Sequence, residues 1–264
     1  MNVELLTVFA DGPGGGNPCP VVTDADGLTD ERMRGVAEEY GHESAFVLTP
    51  TEPGARLRLR FFVPRHEMEM CVHATVAALS LLDEPGPLRV QTPLGLIDVE
   101  IGADGAVTVE QFPPVFGPPV AAARELATAM GCAPDQIRAA RSVSVSRAKL
   151  MVDVLGLDEL RPDPDAVRQV CERLGVTGLY PFTTVTGGAF ARQFPRDSGY
   201  PEDPATGLAA AGLACLLATR ENSDGRHTYA IHQGQAMGRP SLITAHATRD
   251  AGVITRIAVT GRAQ

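Results

Sequence analysis

The chain has 264 residues, 44% of them hydrophobic and 21% charged, enough for one large or two modest domains with a buried core. A net charge of −9 disfavours a phosphate-backbone partner, and 5% aromatics without Trp leave no stacking platforms for nucleic acid. Five cysteines without C-x-x-C spacing, no signal-peptide pattern at the start and no apolar run near ~18 residues point to reduced thiols, a cytoplasmic protein and no membrane partner.

In chain order, Leu5–Ala10 reads as an opening strand, followed by loop punctuation over Asp11–Pro18. Those glycines lack the G-K-[ST] and strand–GxGxxG–helix contexts of a phosphate cradle, so a flexible turn is expected. A helix is predicted over about 30–40, with Thr29 as N-cap and Met33, Val36, Ala37 and Tyr40 on one apolar face. Ser44–Leu48 and the alternating Arg56–Phe61 read as strands, the arginines on a solvated face. A small-residue helix follows at about 73–83. Leu96–Ile101 and Ala106–Glu110 pair around an Asp104-Gly105 turn. The proline run 113–119 is taken as the break between a first lobe, 1–115, and a second, 116–253. The second lobe carries helices at Val120–Met130, Asp165–Leu174 and about 206–219. Its strands fall within Val143–Leu155, Tyr180–Val185, Ala189–Phe194, Tyr229–Gln233 and Leu242–Ala247. A last strand, Ile254–Thr260, is expected to return to the first lobe, so residues 254–264 are set apart. Strands outnumber helices and do not alternate with them, which argues for an α+β fold over a doubly wound parallel sheet.

Val72-His73-Ala74-Thr75 and Asp203-Pro204-Ala205-Thr206 look like copies, each running into a small-residue helix at a constant offset (203 minus 72 gives 131). Two facing helix N-termini would converge unpaired N–H groups and dipoles into an anion pocket. Glu43, where a loop meets a strand, can be held rigidly, and partial burial would raise its pKa for acid–base work near neutrality. His73, at a helix start, is expected to stay neutral and to donate one hydrogen bond. Each has a plainer reading: a surface glutamate, a capping or core histidine, and for Asp203 an N-cap ahead of Pro at N1. Cys71 reads either as a nucleophile or as a small buried hydrophobe. Lys149 interrupts strand material and reads either as a partner for a substrate carboxylate or, the expected case, as exposed on a sheet face. No Cys/His cluster has zinc spacing, His42-Glu43 lacks the second His of H-E-x-x-H, and G-x-S-x-G is absent.

Several segments together resemble the PhzF family of phenazine-biosynthesis isomerase-like proteins. They are Gly16-Asn17-Pro18, Glu43-Ser44-Ala45-Phe46-Val47, Cys71-Val72-His73-Ala74-Thr75, Glu202-Asp203-Pro204-Ala205-Thr206-Gly207, and Gln233-Gly234 with Met237-Gly238-Arg239-Pro240-Ser241. The resemblance implies two pseudo-symmetric lobes, each a curled, mostly antiparallel β-sheet around a central helix, in the diaminopimelate-epimerase-like manner. It implies a cofactor-free, metal-free homodimeric enzyme acting on a small-molecule carboxylate. Glu43 would carry a proton from one carbon to another, with His73 and Asp203 sharing protons and positioning substrate. Asn17, Val72, Ala74, Thr75, Thr206, Gly207 and Leu208 would line the substrate, backbone amides near Thr75, Thr206 and Gly207 holding its carboxylate. Two positions depart from the family pattern: Val72 replaces a glycine and Leu208 a serine, which narrows the cleft and makes it more apolar.

The leading expectation is an isomerase shifting a double bond in an unsaturated acid, in specialised-metabolite biosynthesis. A racemase or epimerase on the same fold would need two opposed acid–base groups, and Val72 opposite Asp203 leaves one side inert. A catalytically silent binding protein is the third reading.

Overall fold

The computed structural model describes residues 2–82 and 84–264. Seven strands recur in the same order in each of two matching halves, with two helices in the first half and three in the second. In the first, Val3–Val8 pairs antiparallel with Asn17–Val22, which runs parallel to Ser44–Leu48. Leu57–Phe62 follows antiparallel, then Gly86–Thr92 parallel, then Gly95–Ile101 and Val107–Glu110 antiparallel. The second half repeats that order of directions: Ile137–Ser144, Lys149–Val154, Gly178–Val185, Gly188–Ala191, Gly225–Gln233, Ser241–Asp250 and Val253–Gly261. The halves join edge to edge where Val253–Gly261 pairs with Val107–Glu110. The last residues bond back to the opening strand, Gln264 N–H to Thr7 O and Phe9 N–H to Arg262 O.

The helices are α1 (Asp30–Tyr40), α2 (Val72–Ser80), α3 (Ala123–Met130), α4 (Pro164–Leu174) and α5 (Gly207–Ala218). The Thr29 hydroxyl accepts from Arg32 N–H and caps α1; the Asp163 carboxylate does the same for α4. Helices α1 and α4 are amphipathic and each covers an outer sheet face over its own small core. α2 and α5 are different. Every residue of α5 and all of α2 but Ser80 are buried, as expected of helices apolar on all sides. Their alanines let the curled sheet close on the backbone from several directions, and one continuous core surrounds both helices.

Several expectations are corrected. Asn17 and Pro18 open a strand and are not loop. Pro18 and Pro20 sit two residues apart, so their missing donors face one edge, which Ser44–Leu48 engages only from Val21 onward. The proline run does not simply break the chain: Val115–Pro119 is a strand paired with Ile137–Ser144. Gly86–Thr92, unread in the sequence, is a strand too. α2 begins at Val72 and ends at Ser80, and residue 83 of the expected helix lies outside the described residues. α3 begins at Ala123, not Val120. Among the described residues no helix is long and apolar enough to cross a membrane. All five cysteines are free.

Candidate active site

The starts of α2 and α5 meet at a narrow cleft between the two halves. Its wall includes Glu43, Cys71, Val72, His73, Asp203, Thr206, Gly207 and Leu208. Glu43 ends the turn before Ser44–Leu48 and is 9% exposed. Its carboxylate oxygen lies 3.6 Å from His73 Nε2, a nitrogen with no hydrogen-bond partner. On the other side of the ring, Cys71 Sγ is 3.2 Å from His73 Nδ1. Burial, then the Glu43 charge, push the Cys71 thiol well above its ordinary range, so it keeps its proton and is able to donate it to Nδ1. With that donation the imidazole proton sits on Nε2, facing Glu43. Burial also lowers the His73 pKa, against the opposing pull of Glu43, and keeps the ring neutral. Cys71 is therefore a small buried group that orients a histidine, and its raised pKa argues against nucleophilic use.

Asp203 is 4% exposed and held from both oxygens. Asn17 Nδ2 donates to Oδ1 at 2.7 Å and the Thr206 hydroxyl donates to Oδ2. Burial and the neighbouring Glu43 carboxylate push its pKa well above the usual range, with Thr206 opposing. The loop that carries Asp203 is pinned from behind. Gln233 Nε2 donates to Asp203 O at 2.7 Å and to Thr206 Oγ1 at 3.0 Å, while Gln233 Oε1 accepts from Tyr180 O–H and Thr206 N–H. Arg192 forms a two-point pair with Glu202 at 2.7 and 2.8 Å and donates to Leu157 O and Leu160 O. Such a pair fixes geometry better than a single contact. Asp203 is not the helix N-cap: α5 starts at Gly207 and Thr206 stands at the cap.

A family model described as "Phenazine biosynthesis-like protein" (PhzC-PhzF) matches residues 6–264. The chain belongs to the PhzC-PhzF family. It is 30% identical over 275 residues to the "uncharacterized isomerase" YfhB of Bacillus subtilis, covering 97% of this chain and 93% of that protein. It is also 30% identical to the trans-2,3-dihydro-3-hydroxyanthranilate isomerase of Pseudomonas chlororaphis, covering 97% and 94%. A crystal structure of the Bacillus anthracis PhzF-family phenazine biosynthesis protein superposes with a TM-score of 0.89 at 27% identity, covering 100% of this chain and 96% of that one. This PhzC-PhzF chain is thus an isomerase of the family, with the diaminopimelate-epimerase-like α+β fold.

Within this family member, the ten residues singled out from sequence divide. Glu43, Val72, His73, Asp203, Thr206, Gly207 and Leu208 line the cleft; Asn17, Ala74 and Thr75 do not. Asn17 stands behind Asp203, donating also to Ala205 O at 3.0 Å. Thr75 is fully buried, its hydroxyl and amide both bonded to Cys71 O. The amides expected to hold a carboxylate are partly spent: Thr75 N–H on Cys71 O and Thr206 N–H on Gln233 Oε1.

The repeat also needs re-registering. Measured from the helix starts the offset is 207 minus 72, or 135, so Val72 faces Gly207 and not Asp203. A Cβ added at Gly207 would lie 2.6 Å from Val72 Cβ. The bulk at 72 is accommodated by the missing side chain at 207. Gly207→Ala is expected to cost about 1–3 kcal/mol of unfolding free energy, the usual range for overpacking. In a Val72→Gly background the same change should cost under about 1 kcal/mol. Urea denaturation of the four proteins checks this, and an undiminished cost in that background would mean the two residues do not compete for space.

Lys149 is the largest miss. It is 7% exposed and lines the cleft, not an outer sheet face. Gln193, Arg147, Tyr200, Met68 and Met70 line it as well and were not singled out. For Lys149 a signal existed, a lone ammonium opening the apolar run Leu150-Met151-Val152; for Gln193 there was none.

Proposed function

We propose that this isomerase shifts a double bond in a small unsaturated acid by moving one proton, without a cofactor. Glu43 removes the proton from one carbon and returns it to another on the same face. The observation that carries this reading is the convergence of Glu43, His73 and Asp203, all nearly buried, on one cleft. A carboxylate beside a neutral imidazole N–H suits it: the proton can be passed without creating a buried charge pair. His73 Nε2–H, otherwise unpartnered, steadies Glu43 in its ionised form or a developing negative charge on substrate. Asp203, raised by burial, is suited to hold or donate a proton. Val72, Leu208, Met68 and Met70 offer the hydrocarbon part of the substrate an apolar wall.

The Pseudomonas chlororaphis relative's named substrate, trans-2,3-dihydro-3-hydroxyanthranilate, is the first compound to test. Solvent-deuterium incorporation into it and into related unsaturated acids is the experiment. Exchange at two carbons supports the isomerase; tight binding without exchange across the panel would favour the silent binder. Leu208→Ser removes a buried isobutyl group, worth about 1.5–3 kcal/mol of apolar burial. It is expected to raise KM for the substrate that is turned over by about tenfold or more. An unchanged KM would show that Leu208 does not touch it. Part of the same reading is a cytoplasmic homodimer working in specialised-metabolite biosynthesis. The free thiols support the cytoplasmic compartment, and the exposed Leu5, Val115 and Val253 support the dimer.

A further inference from the structure

Lys149 is a buried cation with little to hold it. Its ammonium has three donors, and its hydrogen bond is a long one, 3.4 Å to Thr177 O. Among the described residues no carboxylate comes within ion-pair distance of it, although 16 pairs form elsewhere. A buried ammonium without a counter-charge is costly and is rarely kept without a use. Beside it on the same wall is Gln193, 1% exposed, with neither Nε2 nor Oε1 hydrogen-bonded. A buried amide with two orphan atoms is equally unusual. Gly178 makes room for both: a Cβ there would lie 2.2 Å from Gln193 Nε2 and 3.3 Å from Lys149 Nζ.

The pseudo-symmetry gives this placement a meaning. Lys149 opens the strand Lys149–Val154, and Asn17 opens the matching strand of the other half. Asn17 spends its amide on Asp203 and Ala205 of the other half, behind the cleft wall. Lys149, at the equivalent station, meets no such partner. Glu43 precedes Ser44–Leu48 just as Thr177 precedes Gly178–Val185. The acid–base group and the ammonium's one acceptor therefore occupy equivalent stations on opposite sides of the cleft. An anion bound at Lys149 would leave the rest of a small molecule directed toward Glu43 and His73. The backbone amides that would otherwise take such an anion are partly engaged.

We propose that Lys149, with the side-chain amide of Gln193, holds the substrate's carboxylate, so that the enzyme selects acids over neutral analogues. This rests on reading the cleft as the isomerase site, and it assigns the anion to side chains, not to helix termini. The ammonium supplies charge, and the amide donates from Nε2 to the carboxylate. Arg147, whose ion pair to Glu69 is 3.4 Å long, adds positive potential at the same end.

Isothermal titration of the full-length protein with benzoate, sorbate and cinnamate, each against its primary amide, tests this. At least one acid should bind wild type ten times or more tightly than its amide. Lys149→Met should reduce that ratio to near one, and Lys149→Arg should keep most of it. Should Lys149→Met not fold, Lys149→Arg and the pH dependence in wild type decide. Acid affinity should fall above about pH 8, where Lys149 loses its proton, and amide affinity should not. The charged and titratable groups facing Lys149 are Arg147, Asp203, Cys171 and Glu43. Three results overturn the proposal: no acid preferred by wild type, a ratio unchanged in Lys149→Met, or acid and amide affinities with the same pH dependence. The two readings fail separately. Loss of deuterium exchange in Glu43→Gln with an unchanged acid preference in Lys149→Met would leave the isomerase standing and remove Lys149 from it. The reverse pattern would leave an acid-binding cleft that does not use Glu43.

Discussion

Glu43→Gln is expected to fold normally and to lose about 10³-fold in solvent-deuterium exchange, within the range ascribed to a positioned acid–base group. The side chains have the same shape, and the site asks little of the carboxylate structurally. His73 Nε2 lies 3.6 Å from it, too long for a strong hydrogen bond, and the Tyr200 hydroxyl also faces it. A Gln amide oxygen can still face that N–H. What the amide cannot do is accept a proton from carbon. The loss should therefore fall on kcat with little change in KM, the signature of an interaction made in the transition state. Exchange at a near-normal rate would remove Glu43 from the acid–base role and shift attention to Asp203, whose raised pKa makes it the other candidate in the cleft.

Lys149→Met is expected to make the protein more stable at pH 7 while impairing acid binding. Burial is the first cause that pulls Lys149 down from 10.5 to about 8, with Arg147 adding to it and Asp203, Cys171 and Glu43 opposing. The native state thus binds fewer protons than the unfolded chain between about pH 8 and 10.5. Stability from this group rises with pH across that window, and below it the full cost of a buried charge is present. The gap corresponds to roughly 3 kcal/mol. Loss of the long bond to Thr177 O offsets some of it, so a gain of about 1–3 kcal/mol is expected at pH 7. Urea denaturation at pH 7 and pH 10 checks the sign. The difference between variant and wild type should shrink at the higher pH. A variant less stable than wild type at pH 7 would mean that Lys149 is already compensated in the folded protein. A stabilising substitution that weakens ligand binding is the pattern expected of a residue retained for function.

Much of the site could be read from residue order. Glu43, His73 and Asp203 each stand at a junction where a loop enters a strand or helix, and the small-residue runs after Val72 and Thr206 mark helices that must be buried on all sides. What failed was anything that depended on which side of a strand faces inward. Lys149 opens a strand, where alternation alone would send its side chain to either face. It lies inside because a second half, closing over the first, turns that face into a cleft wall. The proline run failed for a related reason. Val115–Pro119 has poor strand propensity, and its pairing with Ile137–Ser144 is supplied from outside the segment.

The apparent copy between 72–75 and 203–206 shows the same limit. Its Ala-Thr pair aligns letter for letter, yet the helices that follow start four residues out of step, because Asp203 and Pro204 belong to a pinned loop and Val72 to a helical turn. By itself the chain's order of residues determined the α+β character, the two buried helices and the three acid–base candidates, because local periodicity and junction chemistry are written in neighbouring positions. Only the tertiary structure decided that Val72 presses on Gly207, that Asn17 and Gln233 serve as struts behind Asp203, and that Lys149 and Gln193 face the cleft. Those relations join residues distant along the chain or depend on which sheet face is covered, and both are settled only when the sheets close around the buried helices.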